Sequence, residues 1–145
     1  MRIVVQRSLE ASCEVDGKIT GKISNGLVLL VGFTEGDTKE IIDHMVKKVL
    51  NLRIFDDENG VMNKSIDKEN ASILSISQFT LYGDATKGNR PSYIRALSGD
   101  KAIELYEYFN EELSKNIHVE TGIFGAEMKI SLVNDGPITI LLEKE

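Results

Sequence analysis

The sequence predicts an α+β domain: a curled, mostly antiparallel, barrel-like sheet with two main helices packed on one side. Three observations lead there. About eight short segments are rich in apolar and β-branched residues and are set off by Gly, Asn and Asp turns. Two longer segments carry apolar residues at helical spacing. The strand-like segments also come in consecutive runs instead of alternating with helices, which favours antiparallel pairing.

Ile3 to Ser8 and Ala11 to Val15 read as two short strands, closed by the turn signal Asp16-Gly17-Lys18. Lys18 to Ile23 is a weaker strand. Asn25-Gly26 follows, the strongest short hairpin signal. Leu27 to Phe33 is an unbroken apolar run, as expected of a central strand buried on both faces. The opening is read as a β meander.

Asp37-Thr38-Lys39-Glu40 marks a helix start, with Asp37 as the N-cap and Glu40 three residues on. Ile41, Ile42, Met45, Val46, Val49 and Leu50 then form one apolar face, with Lys47 and Lys48 opposite. Phe55 to Glu69 is polar and turn-rich and reads as a surface hairpin or loop. Asp56-Asp57-Glu58-Asn59-Gly60 resembles a calcium loop, but its register is wrong. Counting back from Gly60 puts Phe55 first, and no bidentate Glu closes the loop.

Ala71 to Tyr82 is read as a strand, and Ala85 to Gly99 as a long loop carrying Lys87, Arg90 and Arg95. Asp100 is read as the cap of a second helix, with Ile103, Phe109 and Leu113 inward and Glu104, Glu107, Glu111 and Glu112 largely outward. Asn116 to Glu120, Glu127 to Val133 and Ile138 to Glu143 read as three closing strands, the last two joined by Asn134-Asp135-Gly136-Pro137. At 145 residues the chain suits a single domain, residues 1–145.

Composition narrows the classes of function. With 41% apolar and 28% charged residues, the chain has an ordinary globular make-up. Cys13 is the only cysteine, so no internal disulfide forms, which suits a reducing, cytoplasmic compartment. The N-terminal segment lacks the apolar region of a signal peptide, and no apolar run is long enough for a membrane span. A net charge of −6 argues against global, unspecific binding to nucleic acid but leaves room for a local basic patch. Lys87, Arg90, Arg95 and Lys101 make such a patch. It reads equally as a seat for a phosphate backbone and as solvated loop charge.

Few residues offer chemistry by type. His44 and His118 have no ligand-spaced partner, so no metal site is expected. Neither GxxxxGK[ST] nor GxGxxG occurs. The run Ser77-Gln78-Phe79-Thr80-Leu81-Tyr82-Gly83-Asp84 stands out, because an apolar segment there switches abruptly to hydroxyl and amide side chains. A strand that ends this way puts polar groups and free backbone N–H at a rigid sheet rim. Thr80 has two readings, as a nucleophile or as an ordinary β-branched strand residue, and no base adjoins it in sequence. Backbone amides at the same strand end are an alternative source of catalysis, as an oxyanion hole.

Five segments, in order, carry a resemblance. They are Val5-Gln6-Arg7, the run Ser77 to Asp84, Lys87-Gly88-Asn89-Arg90-Pro91-Ser92, Thr121-Gly122-Ile123-Phe124-Gly125-Ala126-Glu127-Met128, and Asn134-Asp135-Gly136-Pro137-Ile138-Thr139. With them the chain resembles the D-aminoacyl-tRNA deacylase family, long called D-tyrosyl-tRNA deacylase, over essentially its whole length. Tyr93 and Ile138 stand where Phe and Val are common. The resemblance implies hydrolysis of the ester joining a D-amino acid, or misattached glycine, to tRNA. It implies a homodimer in which Ser77, Gln78, Phe79 and Thr80 of one subunit meet Gly136 and Pro137 of the other. It also implies a cis Gly136-Pro137 bond steadied by Arg7, with Phe124 and Met128 lining an adenosine pocket. The implied partner is aminoacyl-tRNA at its 3′ terminal adenosine end. No cofactor, membrane or DNA partner is expected.

Overall fold

The computed structural model describes residues 1–145. Its strands are β1 (Arg2–Val15), β2 (Lys18–Ile23), β3 (Gly26–Gly32), β4 (Phe55–Asp56), β5 (Met62–Lys64), β6 (Ser72–Ser77), β7 (His118–Thr121) and β8 (Lys129–Glu143). Its helices are α1 (Lys39–Asn51) and α2 (Gly99–Ser114).

β1 is one long strand where the sequence suggested two. Leu9 and Glu10 do not end it. Ser8 faces Asn134 and Ala11 faces Leu132 on β8, so Leu9 and Glu10 together oppose Val133 alone. This is a β-bulge, which bends a strand without stopping it. β1 then turns at Asp16-Gly17 and returns as β2 and β3.

Asn25-Gly26 is no hairpin, and the opening is not a meander. Ile23 faces Ala11 and Gly26 faces Ser8, so the returning chain passes the Asn-Gly break without reversing. Gly26 is needed there for another reason. Its φ is +136°, and a Cβ would lie 1.8 Å from the Ser72 carbonyl oxygen. The glycine lets β6 close on β3 as a parallel neighbour.

β7 adds to β6, again in parallel, and β8 pairs antiparallel along β1. The sheet curls until its ends nearly meet. At Gly21 on β2 an added Cβ would lie 2.7 Å from the Thr121 carbonyl oxygen on β7. The Lys22 amide reaches Glu120 at 3.3 Å across the same gap.

β3 explains why the apolar run had to be continuous. Leu27, Leu29 and Val31 enter the larger core shared with α1 and α2. Val28 and Leu30 point the other way, into a smaller core with Cys13, Leu74 and Ile76. Each face is covered, so alternation with polar residues is lost. The apolar face of α1 is buried as expected, with Ile42, Met45, Val46, Val49 and Leu50 inside.

The caps differ from expectation. Thr38, not Asp37, caps α1, its hydroxyl accepting from Ile41 N–H at 3.3 Å. Asp37 is engaged elsewhere, by the Met1 amino group at 2.7 Å and the Thr34 amide at 2.8 Å. Ser98 precedes α2, and Asp100 lies in its first turn, where a negative charge still suits the helix dipole. Ala102, Tyr106, Phe109 and Leu113 form the buried face of α2, while Ile103 is only half-buried.

Phe55 to Glu69 holds the short β4–β5 hairpin. Asp57 accepts from the Asn59 and Val61 amides there, which holds its carboxyl below the usual range. β8 runs unbroken through two of the expected strands, and the residues between them form a protrusion within it.

Candidate functional site

β6 stops at Ser77, five residues short of Tyr82, where the sequence placed the end of that strand. Ser77 pairs with Val31, and the Gln78 amide still reaches the Val31 carbonyl at 2.7 Å. The chain then coils into a 3-10 turn over Phe79–Tyr82. The Leu81 amide closes back on the Gln78 carbonyl at 3.3 Å. The N–H groups of Phe79 and Thr80 precede that closure, so the turn itself leaves them without partners. Both residues are exposed.

Beside the turn lies a pocket of about 460 Å³, the volume range of small-ligand sites. Ser77, Gln78 and Phe79 form one wall, and Phe124 and Met128 another. Phe124 packs against Tyr106 with ring centroids 5.8 Å apart, and the Tyr106 hydroxyl donates to the Ser75 carbonyl at 2.7 Å. Burial pushes the Tyr106 phenol up, so it stays a neutral donor. Met128 sits against the Gly122 backbone, where a Cβ would come within 2.5 Å of its sulfur.

Five sequence-predicted site residues therefore share one cavity, and Thr80 stands next to it. Its hydroxyl takes a hydrogen bond from the Gln78 side-chain amide. No histidine or carboxylate contacts it among the side-chain hydrogen bonds. Asp84, the nearest acid in sequence, accepts from the Thr86 amide at 2.9 Å instead.

Gly136, Pro137 and Arg7 form a second group, outside the pocket lining of their own chain. Gln6 faces Thr139 and Ser8 faces Asn134, so residues 135–138 bulge from β8 opposite Arg7 alone. Gly136 has φ +125°, and the Gly136-Pro137 peptide is cis. Both residues are exposed. Arg7 is only 8% exposed and anchors the base of the bulge. Its Nε donates to the Asp135 carbonyl at 3.3 Å and its Nη1 to the Ile54 carbonyl at 2.9 Å. The Asp56 and Asp135 carboxylates balance its charge, each at 3.3 Å. Across the bulge, Asn134 Oδ1 accepts from the Ile138 amide at 3.0 Å.

Sequence reading missed several parts of this site. Gly32, Leu97, Gly99 and Ala102 complete the pocket wall. Gly32 carried a usable signal, a glycine closing a run of large apolar residues. A Cβ there would press to 2.9 Å from the Gln78 carbonyl. The others are set by how α2 docks, which spacing does not encode. His118 pairs with Glu120 at 2.7 Å, and no cluster of three or more metal-ligating side chains forms.

Known proteins align with this chain along its length. The model of a family described as D-Tyr-tRNA(Tyr) deacylase matches residues 4–143. The chain belongs to that family. A D-aminoacyl-tRNA deacylase of Bacillus cytotoxicus is 56% identical over 146 residues, covering 100% of both chains. That of Bacillus thuringiensis is 53% identical over the same span. Among solved structures, one described as a c-Myc DNA unwinding element binding protein superposes with a TM-score of 0.94. It is 40% identical and covers 100% of this chain and 99% of its own. Another, of a probable eukaryotic D-amino acid tRNA deacylase, has a TM-score of 0.83 at 18% identity over 97% of each chain, and shows the shared fold. The pocket, the turn and the bulge thus belong to a D-Tyr-tRNA(Tyr) deacylase family chain.

Proposed function

We propose that the protein hydrolyses the ester joining a D-amino acid, or misattached glycine, to the 3′ terminal adenosine of tRNA. One observation carries the reading: an apolar pocket of nucleoside size opens beside a turn whose first two N–H groups are free. The adenosine fills the pocket between Phe124 and Met128. The ester carbonyl then lies over the Phe79 and Thr80 amides. Water attacks that carbonyl, and the two N–H groups hold the oxyanion as it develops. One such donor is typically worth about 10²–10³ in rate. As the ester breaks, the ribose oxygen leaves and takes up a proton, with the neighbouring ribose hydroxyl assisting. The site then needs no base beside Thr80, and no cofactor.

Selection between enantiomers falls to Gly136 and Pro137 of a second copy of the chain, in a homodimer. Their carbonyl oxygens accept from the substrate's α-amino group and occupy the space an L side chain would need. A D side chain points away, and glycine has nothing to exclude. Two features support a shared site. The bulge is exposed and lies outside its own chain's pocket. Val133 and Leu141, two large apolar side chains of β8, are also left exposed. The compartment proposed is the cytoplasm, where charged tRNA is found. DNA binding, named in the description of the 40%-identical structure, has no second observation in its favour here.

Purified protein incubated with D- and L-aminoacyl-tRNA tests the reading. Release of the D-amino acid without added metal, with the L ester intact, is the expected result. Equal rates on both would remove the proposed selection. Tight binding of charged tRNA without release would leave only a binding module.

A further inference from the structure

Beyond the pocket rim, the loop after the 3-10 turn has a definite shape. Asp84 and Ser92 exchange backbone hydrogen bonds at 2.8 Å each way, closing residues 85–91 into a projecting loop. Its far foot is held by the Thr34 hydroxyl, which donates to the Arg95 carbonyl at 2.6 Å. Tyr93 lies between these anchors. Its ring meets Phe79 edge-on at 5.2 Å and packs over Gly83.

This surface is unusual in a chain of charge −6. Phe79 is 58% exposed, Tyr93 42% and Ile94 89%. Arg95 and Lys101 are paired with Glu145 and Glu35. Lys87 and Arg90, on the projecting loop, make no ion pair. Residues 85–91 hold no acid, and Asp84 at the foot of the loop is exposed and accepts from the Thr86 amide at 2.9 Å. Exposed aromatic surface therefore leads from the pocket straight to two free cations.

We propose that Tyr93, with Lys87 and Arg90, forms a subsite for the single-stranded nucleotides that precede the terminal adenosine of the RNA substrate. This deepens the proposed function and rests on it. With adenosine in the pocket, the strand leaves over Phe79, and the next base meets the Tyr93 ring. Stacking suits any base, because every base has a π face. The phosphates then pass the loop, where Lys87 and Arg90 neutralise them. Continuity with the pocket and the local excess of positive charge both select a nucleic-acid strand over an acidic second copy of this chain.

Two substrates separate this subsite from the catalytic centre: aminoacyl-adenosine, which ends at the pocket, and a D-aminoacylated RNA hairpin with a single-stranded 3′ end. For Tyr93→Ala, kcat/KM on the hairpin falls about tenfold further than on aminoacyl-adenosine, within the range for one stacked base. Lys87→Gln/Arg90→Gln weakens the hairpin selectively and flattens its log–log salt dependence by about 0.7 per lost phosphate contact. Equal losses on both substrates, or none on either, would overturn the subsite. So would a change in molecular mass in Tyr93→Ala by light scattering, which would make the patch an interface between copies. If wild type cleaves neither substrate, the proposed function fails. Binding of uncharged hairpin, weakened by the same substitutions or not, then decides the subsite by itself.

Discussion

Arg2 holds the 3-10 turn in place: its Nη1 donates to the Leu81 carbonyl oxygen at 2.7 Å. The same guanidinium lies 4.5 Å from the centre of the Tyr82 ring, and its Nε is 2.7 Å from Glu143. Arg95 approaches the Tyr82 ring as well, at 5.5 Å. The last two residues of the turn are thereby held by Arg2 on β1 and by Arg95 on the following loop. The Phe79 and Thr80 amides at its start inherit that rigidity.

Removing the clamp is expected to cost both stability and rate. A hydrogen bond from a charged donor contributes about 1.5–3 kcal/mol, and an exposed cation–π contact about 0.5–1 kcal/mol. Arg2→Met should lower stability by about 2–3 kcal/mol, or about 5–10 °C in Tm for a domain of this size. It should also lower kcat more than KM, because the amides lose alignment and the pocket does not. A melting scan with steady-state kinetics at a temperature where the variant is folded checks both. An unchanged kcat would confine Arg2 to stability.

Tyr82 gives the fold an alkaline limit. Its hydroxyl is buried without a hydrogen-bond partner. Burial, with the Asp37 charge next, pushes the phenol up from 10.0 to about 12. The folded state therefore holds this proton more tightly than the unfolded chain does. The contribution is complete below about pH 10 and is lost as pH rises towards 12. Tyr82→Phe keeps the ring between Arg2 and Arg95 and removes the unpaired hydroxyl. It should be as stable as wild type or more so at neutral pH. It should also decline less between pH 10 and 12, as read by chemical denaturation across that range.

Thr80 separates two mechanisms. The structure gives its hydroxyl an amide donor, Gln78, and no base. If the backbone N–H does the work, Thr80→Ala keeps kcat within about tenfold of wild type, since the amide remains. A nucleophilic hydroxyl predicts a loss of several orders of magnitude and an acyl-enzyme burst. Single-turnover hydrolysis of D-aminoacyl-tRNA distinguishes them.

How much of this was legible in the sequence follows from which forces are local. The apolar faces of α1 and β3 could be read because burial imposes its period directly on the chain. The end of β6 could not. Ile76 to Tyr82 keeps strand-like residues, but beyond Val31 the neighbouring chain gives its next carbonyl on that edge, Phe33, to the Leu97 amide, and β6 coils there. Asn25-Gly26 misled for a related reason: its glycine answers to Ser72, far along the chain, and not to a local reversal. Asp37 was lost as a cap to the Met1 amino group, remote in sequence, and to the Thr34 amide. The site residues were named by motif, yet Arg2 and Tyr106 carry no motif. They matter through what they touch.

Arg7 ties the fold to the bulge proposed to select the enantiomer. It is nearly buried and spends its donors on two main-chain carbonyls, Ile54 and Asp135, one on each side of it. The second carbonyl immediately precedes Gly136. Arg7→Lys keeps the charge but loses the planar fork that serves both carbonyls at once. Leaving one buried acceptor unpaired costs about 1–3 kcal/mol, which a 145-residue fold can bear. The released Asp135 carbonyl frees the bulge that is proposed to enter the neighbouring subunit. Arg7→Lys should therefore remain folded and active on D-aminoacyl-tRNA, while its rate on the L ester rises by about tenfold or more. The ratio of kcat/KM for the two enantiomers measures this directly. A variant that loses stability yet keeps full discrimination would show that Arg7 does not set the selection.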